Sequence, residues 1–373
     1  MFRFALRFLS YDKPKSIGVI LGIIISIFLV GQQTGIFIFL TSAMSALVDN
    51  TQADLWVVDN RTTNVNALGQ LDVRIGYQIE SLPGVKKAYP LVISGGTAKF
   101  QGGKSAPVLI IGAQPPLFRG GPWKIESGDL PDLLEEGAIS CDIFDSKELN
   151  NARLGTQFEI NGRRVYVALQ TKGVRSFGGI YMFSTASRAR ALGKISRFKA
   201  SAFLVDVEDS IDPTRMRDQI NKIIYGVRAW TKKDFSRATV STILSTSGIA
   251  FSIGTLILFA AIAGMVIIGL TMYSAAVDRL RDYGTFKAIG ADNTYIRNLI
   301  LSQALFFAFT GYGIAIVLIE GFRKGIANSG VLFEYSMLIK IVFFIVTIVI
   351  SLGGAAFAMH RIGRVEPASV FRT

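Results

Sequence analysis

Four stretches of the chain run through apolar residues almost without interruption: Ile17 to Leu40, Ile249 to Ala276, Leu299 to Ile319 and Leu338 to Ala358. Crossing a bilayer takes roughly 20 mainly apolar residues, and each stretch meets that length. None carries Asp, Glu, Lys or Arg except Lys340, which sits close enough to one end to reach the interface with its ammonium. Between the first and second stretches the pattern changes to short apolar runs of strand length, separated by Gly, Pro, Asn and Asp, with amphipathic segments among them. The pattern predicts an α+β membrane protein: four transmembrane helices (1+3), with an α+β extracytoplasmic domain inserted between the first and second.

Inside the inserted segment, "ADLWVVD" reads as a strand, "GYQIESLPGVKKAYPLVIS" as a helix ended by Pro-Gly and then a strand, and "APVLIIGAQP" as a buried strand. "TQFEINGRRVYVALQTKGV" sets Asn161-Gly162 between two apolar alternations, a hairpin signal because a type I′ turn needs positive φ at both central residues. "ASAFLVDVED" reads as a strand, and "DPTRMRDQINKII" as a helix capped by Asp212 with Pro213 at its first position. "LPDLLEEGAISCDIFDSKEL" reads as polar and partly helical. Gly102-Gly103-Lys104-Ser105 ends like a phosphate-binding loop, but Ala98 stands where that loop needs its first Gly, and Pro107 with a strand follows, so it is read as a turn. Trp230 to Thr246 lacks Pro and Gly and is expected to form a stalk helix continuous with the second membrane stretch, with Thr41 to Ala46 as its partner.

Lys and Arg in short loops set orientation. They gather at Arg3, Arg7, Lys13 and Lys15, at Arg279, Arg281, Lys287 and Arg297, and at Arg361, Arg364 and Arg372. Both termini and the loop after the second stretch are therefore expected in the cytoplasm. The resulting order is a cytoplasmic amphipathic helix (1–15), a first transmembrane helix (16–40), an extracytoplasmic domain with stalk helices (41–246) and a second transmembrane helix (247–277). A cytoplasmic coupling helix (278–298), a third transmembrane helix (299–319), a short outer loop (320–337), a fourth transmembrane helix (338–359) and a cytoplasmic tail (360–373) complete it. The first apolar stretch outruns the ~7 to 15 residues of a signal peptide core and reads as a retained helix.

Charge and composition then narrow the function. The net charge of +13 divides into +6 for residues 45–246, with 26 Lys and Arg against 20 Asp and Glu, and +7 for the remainder. The membrane share follows the orientation rule, and no basic patch is interleaved with aromatics as a nucleic-acid groove would be, so no nucleic-acid partner is expected. Arg188, Arg190, Lys194, Arg197 and Lys199 read as a solvated helix face, with contact to anionic headgroups of membrane lipid as the other reading. One Cys (Cys141) and one His (His360) leave no means to build a His/Cys zinc site, a Ser-His-Asp triad or a Cys-His pair.

Gly18, Gly22 and Ser26, then Gly31 and Gly35, place small residues at four-residue spacing on the first membrane helix, and Ala260 and Gly264 repeat the device on the second. Such stripes let helix backbones approach closely, within a chain or between two copies. Gln32 and Gln33 lie within or near the bilayer, and two readings stay open for them: interhelical hydrogen bonds or contact with a substrate.

The segment "DRLRDYGTFKAIGADNTYIRNLI" follows the second membrane stretch. Asp278, Arg279, Arg281 and Asp282 begin a short helix, Gly284 permits a bend or close approach, Phe286 and Ile289 offer apolar knobs, Gly290 can stop the helix in left-handed geometry, and Asp292 caps the next one. One helix, a domain of about 200 residues and three helices resembles the FtsX and MacB class of ATP-binding-cassette permeases, the type VII superfamily. In that class a coupling helix carries Arg, an acidic residue, Gly or Ala, Lys, Ala and Gly in order. Arg281, Asp282, Gly284, Lys287, Ala288, Ile289 and Gly290 occupy it here, with Asp282 standing where Glu is commoner. "YGTFKAIGA" and "SQALFFAFTGY" are most similar to the DevC-like branch, and "RIGRVEPASVFR" resembles the family's Pro-Ala ending.

The resemblance implies a non-catalytic subunit of the inner membrane working as a homodimer with a separate ATPase, which binds the ATP and Mg while this chain binds no cofactor. Asp278 to Gly290, with Tyr283 among them, would couple to that ATPase. Export of a lipid-like or amphiphilic substrate by mechanotransmission, with a periplasmic adaptor (a membrane fusion protein) on the ectodomain, is the function implied. An FtsX-like regulatory transducer that moves no substrate, and a carrier independent of any ATPase, are the alternatives.

Overall fold

The computed structural model describes residues 13–278, 283, 285–286 and 289–362. The expected amphipathic segment up to residue 12 and the tail beyond 362 lie outside the described residues. The chain divides into two compact units. One holds the described residues up to Ile38, Ile249–Ala327 and those from Phe333 onward; the other holds Phe39–Gly248 with Asn328–Leu332.

In chain order the helices are α1 (Lys13–Asp49), α2 (Arg74–Glu80), α3 (Ala186–Gly193), α4 (Pro213–Ile223), α5 (Lys232–Ser247), α6 (Ile249–Val277), α7 (Asn293–Ala327) and α8 (Met337–Ile362). Among the described residues four of them, α1, α6, α7 and α8, are long and apolar enough to cross a membrane. On α1, Ile17, Leu21, Ile25 and Leu29 are exposed at four-residue spacing while Val19, Ile23, Ile27 and Val30 are buried, so one apolar face is left for lipid and the other packs inward. Hydroxyls inside these apolar helices bond the carbonyl four residues back, as Thr34 does with Val30 (2.8 Å), Thr271 with Ile267 (2.7 Å) and Thr347 with Phe343 (2.7 Å). That satisfies them without water. Ser351 instead donates from α8 to the Ala304 carbonyl of α7 at 2.7 Å.

The inserted unit is a sheet domain. Its strands are β1 (Leu55–Asp59), β2 (Leu71–Asp72), β3 (Val85–Lys99), β4 (Ser105–Ala113), β5 (Ile125–Ser127) and β6 (Ala138–Asp142). There follow β7 (Gln157–Ile160), β8 (Arg163–Thr171), β9 (Ile180–Thr185), β10 (Lys199–Ala200), β11 (Ala202–Val207) and β12 (Val227–Thr231). The main path is β12-β1-β11-β3-β7-β8-β5, with β4 bridging β3 to β9 and β6 alongside β8. The long β3 pairs with β11 through its first half and with β4 and β7 through its second, so one strand joins two packed regions. The Asn161-Gly162 turn has φ of 52° and 80°, and Ile160 lies opposite Arg163, the two-residue hairpin that the sequence predicts. At the sheet edge, the Asn221 amide accepts from the Ala229 N–H (2.6 Å) and donates to its carbonyl (3.1 Å), covering β12 as a neighbouring strand would.

Three sequence expectations change. The stretch read as polar and partly helical contains β6, whose five residues are all buried and pair in parallel with β8. A run this short and buried on both faces shows no period, and acid-rich flanks disguise it. The stalk helix does not run on into the membrane helix: α5 ends at Ser247, the next residue Gly248 adopts φ 67°, and α6 starts at Ile249. Arg188 and Arg190 are not a solvated face. Arg188 donates to the carbonyls of Leu133 (2.9 Å) and Ala138 (2.7 Å), and Arg190 to that of Lys199 (3.0 Å), so both tie neighbouring segments to α3. Burial lowers the pKa of each guanidinium.

Asp142, at the end of β6, accepts hydrogen bonds from the Phe144 N–H (3.0 Å), the Thr171 hydroxyl (3.0 Å) and the Val174 N–H (2.8 Å). Close by, Asp145 forms an ion pair with Arg175. Burial pushes the Asp145 carboxyl from its ordinary 3.8 up to about 6; Arg175 opposes the rise, while Asp142 and Glu148 add to it. The folded protein therefore holds this proton more tightly than the unfolded chain does. The stabilising contribution is complete below pH 3.8 and is lost as pH rises through 6. Unfolding measured across that window should show the decline, and Asp145→Asn should flatten it.

Candidate functional site

The small-residue stripes of α1 and α6 meet each other. A Cβ placed on Gly18 would lie 3.3 Å from Cγ2 of Thr271, and one on Gly22 would lie 2.7 Å from Cγ2 of Ile267. Ser26 lies against Gly264 and donates to the Ala260 carbonyl at 2.8 Å. Positions rise along α1 as they fall along α6, so the two helices are antiparallel. Further along α1, Gly31 faces Ile319 of α7, and a Cβ on Gly35 would lie 2.5 Å from the ring of Phe333. The Tyr335 hydroxyl donates to the Gly31 carbonyl at 2.8 Å. All seven predicted packing residues are thus filled by the chain's own side chains, and a second copy would have to meet a different surface. Gln32 and Gln33 are half-buried, and among the described residues neither side chain has a hydrogen-bond partner.

At one end of this helix pair, Lys15 forms an ion pair with Asp278 and donates to the Ser274 carbonyl at 3.3 Å. The N-terminal end of α1 therefore sits beside the C-terminal end of α6, where the predicted coupling segment starts. Sequence reading took Lys15 only as a topology charge; its pairing depends on a residue 263 positions away.

Of that segment, Asp278, Tyr283, Phe286, Ile289 and Gly290 are described, whereas Arg279, Arg281, Asp282, Gly284, Lys287 and Ala288 lie outside the described residues. Tyr283 is buried. The Phe286 ring lies 6.2 Å from that of Tyr295 on α7. Gly290 has φ 99°, and the Ala291 N–H donates back to the Phe286 carbonyl at 2.9 Å, the six-to-one bond that closes a helix C-terminus. Asp292 then accepts from the Tyr295 N–H at 2.8 Å and caps α7. Ile289, on the last turn before Gly290, is 77% exposed. The chain is thus stopped at Gly290, and among the described residues of the segment Ile289 presents an apolar side chain outward.

Cys141 is buried, and desolvation pushes its thiol up to about 12, which disfavours the thiolate. Among the described residues, no group of three His, Cys, Asp or Glu side chains is placed to hold a metal ion.

The family of MacB-like periplasmic core domains matches residues 16–223, and the FtsX-like permease C-terminal family matches residues 254–360. No curated protein matches the chain. Among solved structures, the periplasmic region of MacB from Actinobacillus actinomycetemcomitans is similar at 12% identity and TM-score 0.38, over 54% of this chain and 98% of that one. The extracellular domain of the noncanonic ABC-type transporter YknZ from Gram-positive bacteria is similar at 11% identity and TM-score 0.33, over 48% of this chain and 99% of that one. With one family match over the first helix and most of the inserted domain and another over the three later helices, the chain belongs to the FtsX/MacB-type ATP-binding-cassette transporter permeases, membrane subunits that work with an ABC ATPase.

Proposed function

We propose that this chain is the membrane half of an exporter in which ATP hydrolysis moves the extracytoplasmic domain, driving out a lipid-like or amphiphilic substrate by mechanotransmission. The observation that carries the reading is the exposed Ile289 beside the Gly290 stop, with its N–H held by the Thr285 carbonyl. An outward apolar side chain next to a hydrogen-bonded stop, in a segment rich in charge, is suited to a groove on a partner protein. That partner is the ATPase, which holds the ATP and Mg; the loop and both chain termini lie in the cytoplasm, and the inserted domain faces outward. Two copies of the permease act together, and an adaptor binds the outer domain.

The membrane helices support a mechanical part over an ion-coupled carrier. Their described charges sit toward helix ends, and Glu320 pairs with Arg323 at 2.6 Å and with Lys340 at 2.7 Å, in contrast to the buried, functional charges of a proton or ion pathway. The test is transfer of a fluorescent phospholipid from proteoliposomes carrying the permease and its ATPase to acceptor vesicles. ATP-dependent transfer is expected. ATP hydrolysis without transfer would favour an FtsX-like transducer, and transfer without the ATPase would favour a carrier.

A further inference from the structure

We propose that Arg175 fastens the short strap between α7 and α8 to the extracytoplasmic unit, making that strap a second mechanical input to the domain besides the stalk helices. The proposal rests on the mechanotransmission reading above and adds a route to it. Residues Asn328–Leu332 belong to the extracytoplasmic unit although the chain on either side of them belongs to the membrane unit. Arg175 holds two of them directly. Its Nε donates to the Gly330 carbonyl at 2.9 Å and its Nη2 to the Ser329 carbonyl at 3.1 Å, while Nη1 pairs with Asp145. The Phe144 ring lies 5.7 Å from the guanidinium carbon. A planar fork with donors committed to three acceptors holds direction as well as distance, which a lysine in its place would not.

The strap is shaped to this grip. Gly330 is buried with φ 79°, and a Cβ there would run into the guanidinium and lie 2.7 Å from Cβ of Phe144. Leu332 packs over Gly173, whose added Cβ would lie 2.5 Å from Leu332 Cδ1. The next residue, Phe333, packs on Gly35 of α1 inside the membrane unit, followed by the Tyr335 hydrogen bond to Gly31. The grip passes from one unit to the other between consecutive residues. From Gly330 to Phe333 the chain spans at most about 11 Å even when extended, so it has little slack to absorb a relative movement. Asp145 adds to the hold: it is buried, and a buried carboxylate that loses its cation is left unpaired.

The experiment is hydrogen exchange on the full chain assembled with its ATPase in lipid nanodiscs, with and without ATP. Peptides covering 142–149 and 173–176 are followed. Wild type is expected to show an ATP-dependent change in them. Arg175→Ala should reduce that change at least fivefold, with ATP hydrolysis kept within twofold. Because Arg175→Ala strands Asp145, a second variant leaves the pair intact: Gly-Gly-Ser inserted after Gly330, which gives the strap slack and should produce the same loss. The proposal is overturned if both variants respond as wild type does. Loss with Arg175→Ala alone also overturns it, because that result reports local unfolding around Asp145 and not a slackened strap. No ATP-dependent change anywhere in 41–246 of wild type would sink the mechanotransmission reading together with the strap.

Discussion

Ile289→Asp is expected to strip the ATPase from the purified permease, weakening the association by about 2 kcal/mol or more, roughly thirtyfold in affinity. Ile289 is 77% exposed on a turn closed by its own backbone, with its N–H bonded to the Thr285 carbonyl at 3.1 Å and Gly290 supplying the left-handed stop. Nothing in that geometry requires the side chain to be apolar. A charge there therefore leaves the turn standing, while burying an unpaired carboxylate in a partner groove is costly. Copurification with the ATPase measures the effect. Tyr225→Asp, at an exposed residue of the outer domain, is the control expected to change nothing. Equal ATPase recovery from both variants would remove Ile289 from the interface.

Gly22→Leu should strongly destabilise the membrane unit. Even a Cβ on Gly22 lies 2.7 Å from Ile267 Cγ2, closer than carbon atoms tolerate, and the neighbouring contacts at Gly18 and Ser26 fix the same register. A leucine must push α1 off α6, with an overpacking cost of about 1–3 kcal/mol or more. The milder Gly22→Ala permits a sharper test. Its clash is with one side chain, so Ile267→Ala should restore part of the stability lost, with a coupling of at least about 0.5 kcal/mol in a double-mutant cycle of unfolding in detergent. Strict additivity would mean that the two helices do not meet here.

Where the sequence spoke clearly, single residues explain why. Asn161-Gly162 needs two positive φ angles and predicts its hairpin from two letters; Asp212 and Pro213 start α4 because one caps and the other tolerates the first turn. The stripes on α1 and α6 announced close packing, although spacing alone left open whether the partner was the same chain or another copy. The misses come from long-range pairing. Nothing local marks Arg188 as a ligand of the Leu133 and Ala138 carbonyls, or Arg175 as the residue that holds Gly330. Gly248 was visible as a glycine, but the apolar pattern on its far side hid the stop. In the segment proposed to couple, Gly290 and Asp292 are legible as the stop and the cap. The outward aim of Ile289 follows only from the fold.

ATP use on the inner side is expected to move the outer domain. Tyr225 is 99% exposed and Cys141 is buried with its thiol pushed up to about 12, so Tyr225→Cys takes a single spin label per copy. The distance between the two labels in the complex is then measured by pulsed electron resonance with ADP and with ATP held at a hydrolysis-arrested ATPase. A shift of about 5 Å or more is expected between the two states, the scale of one packed element stepping past another. Superimposable distance distributions, in a complex shown to bind ATP and to hydrolyse it when not arrested, would contradict it.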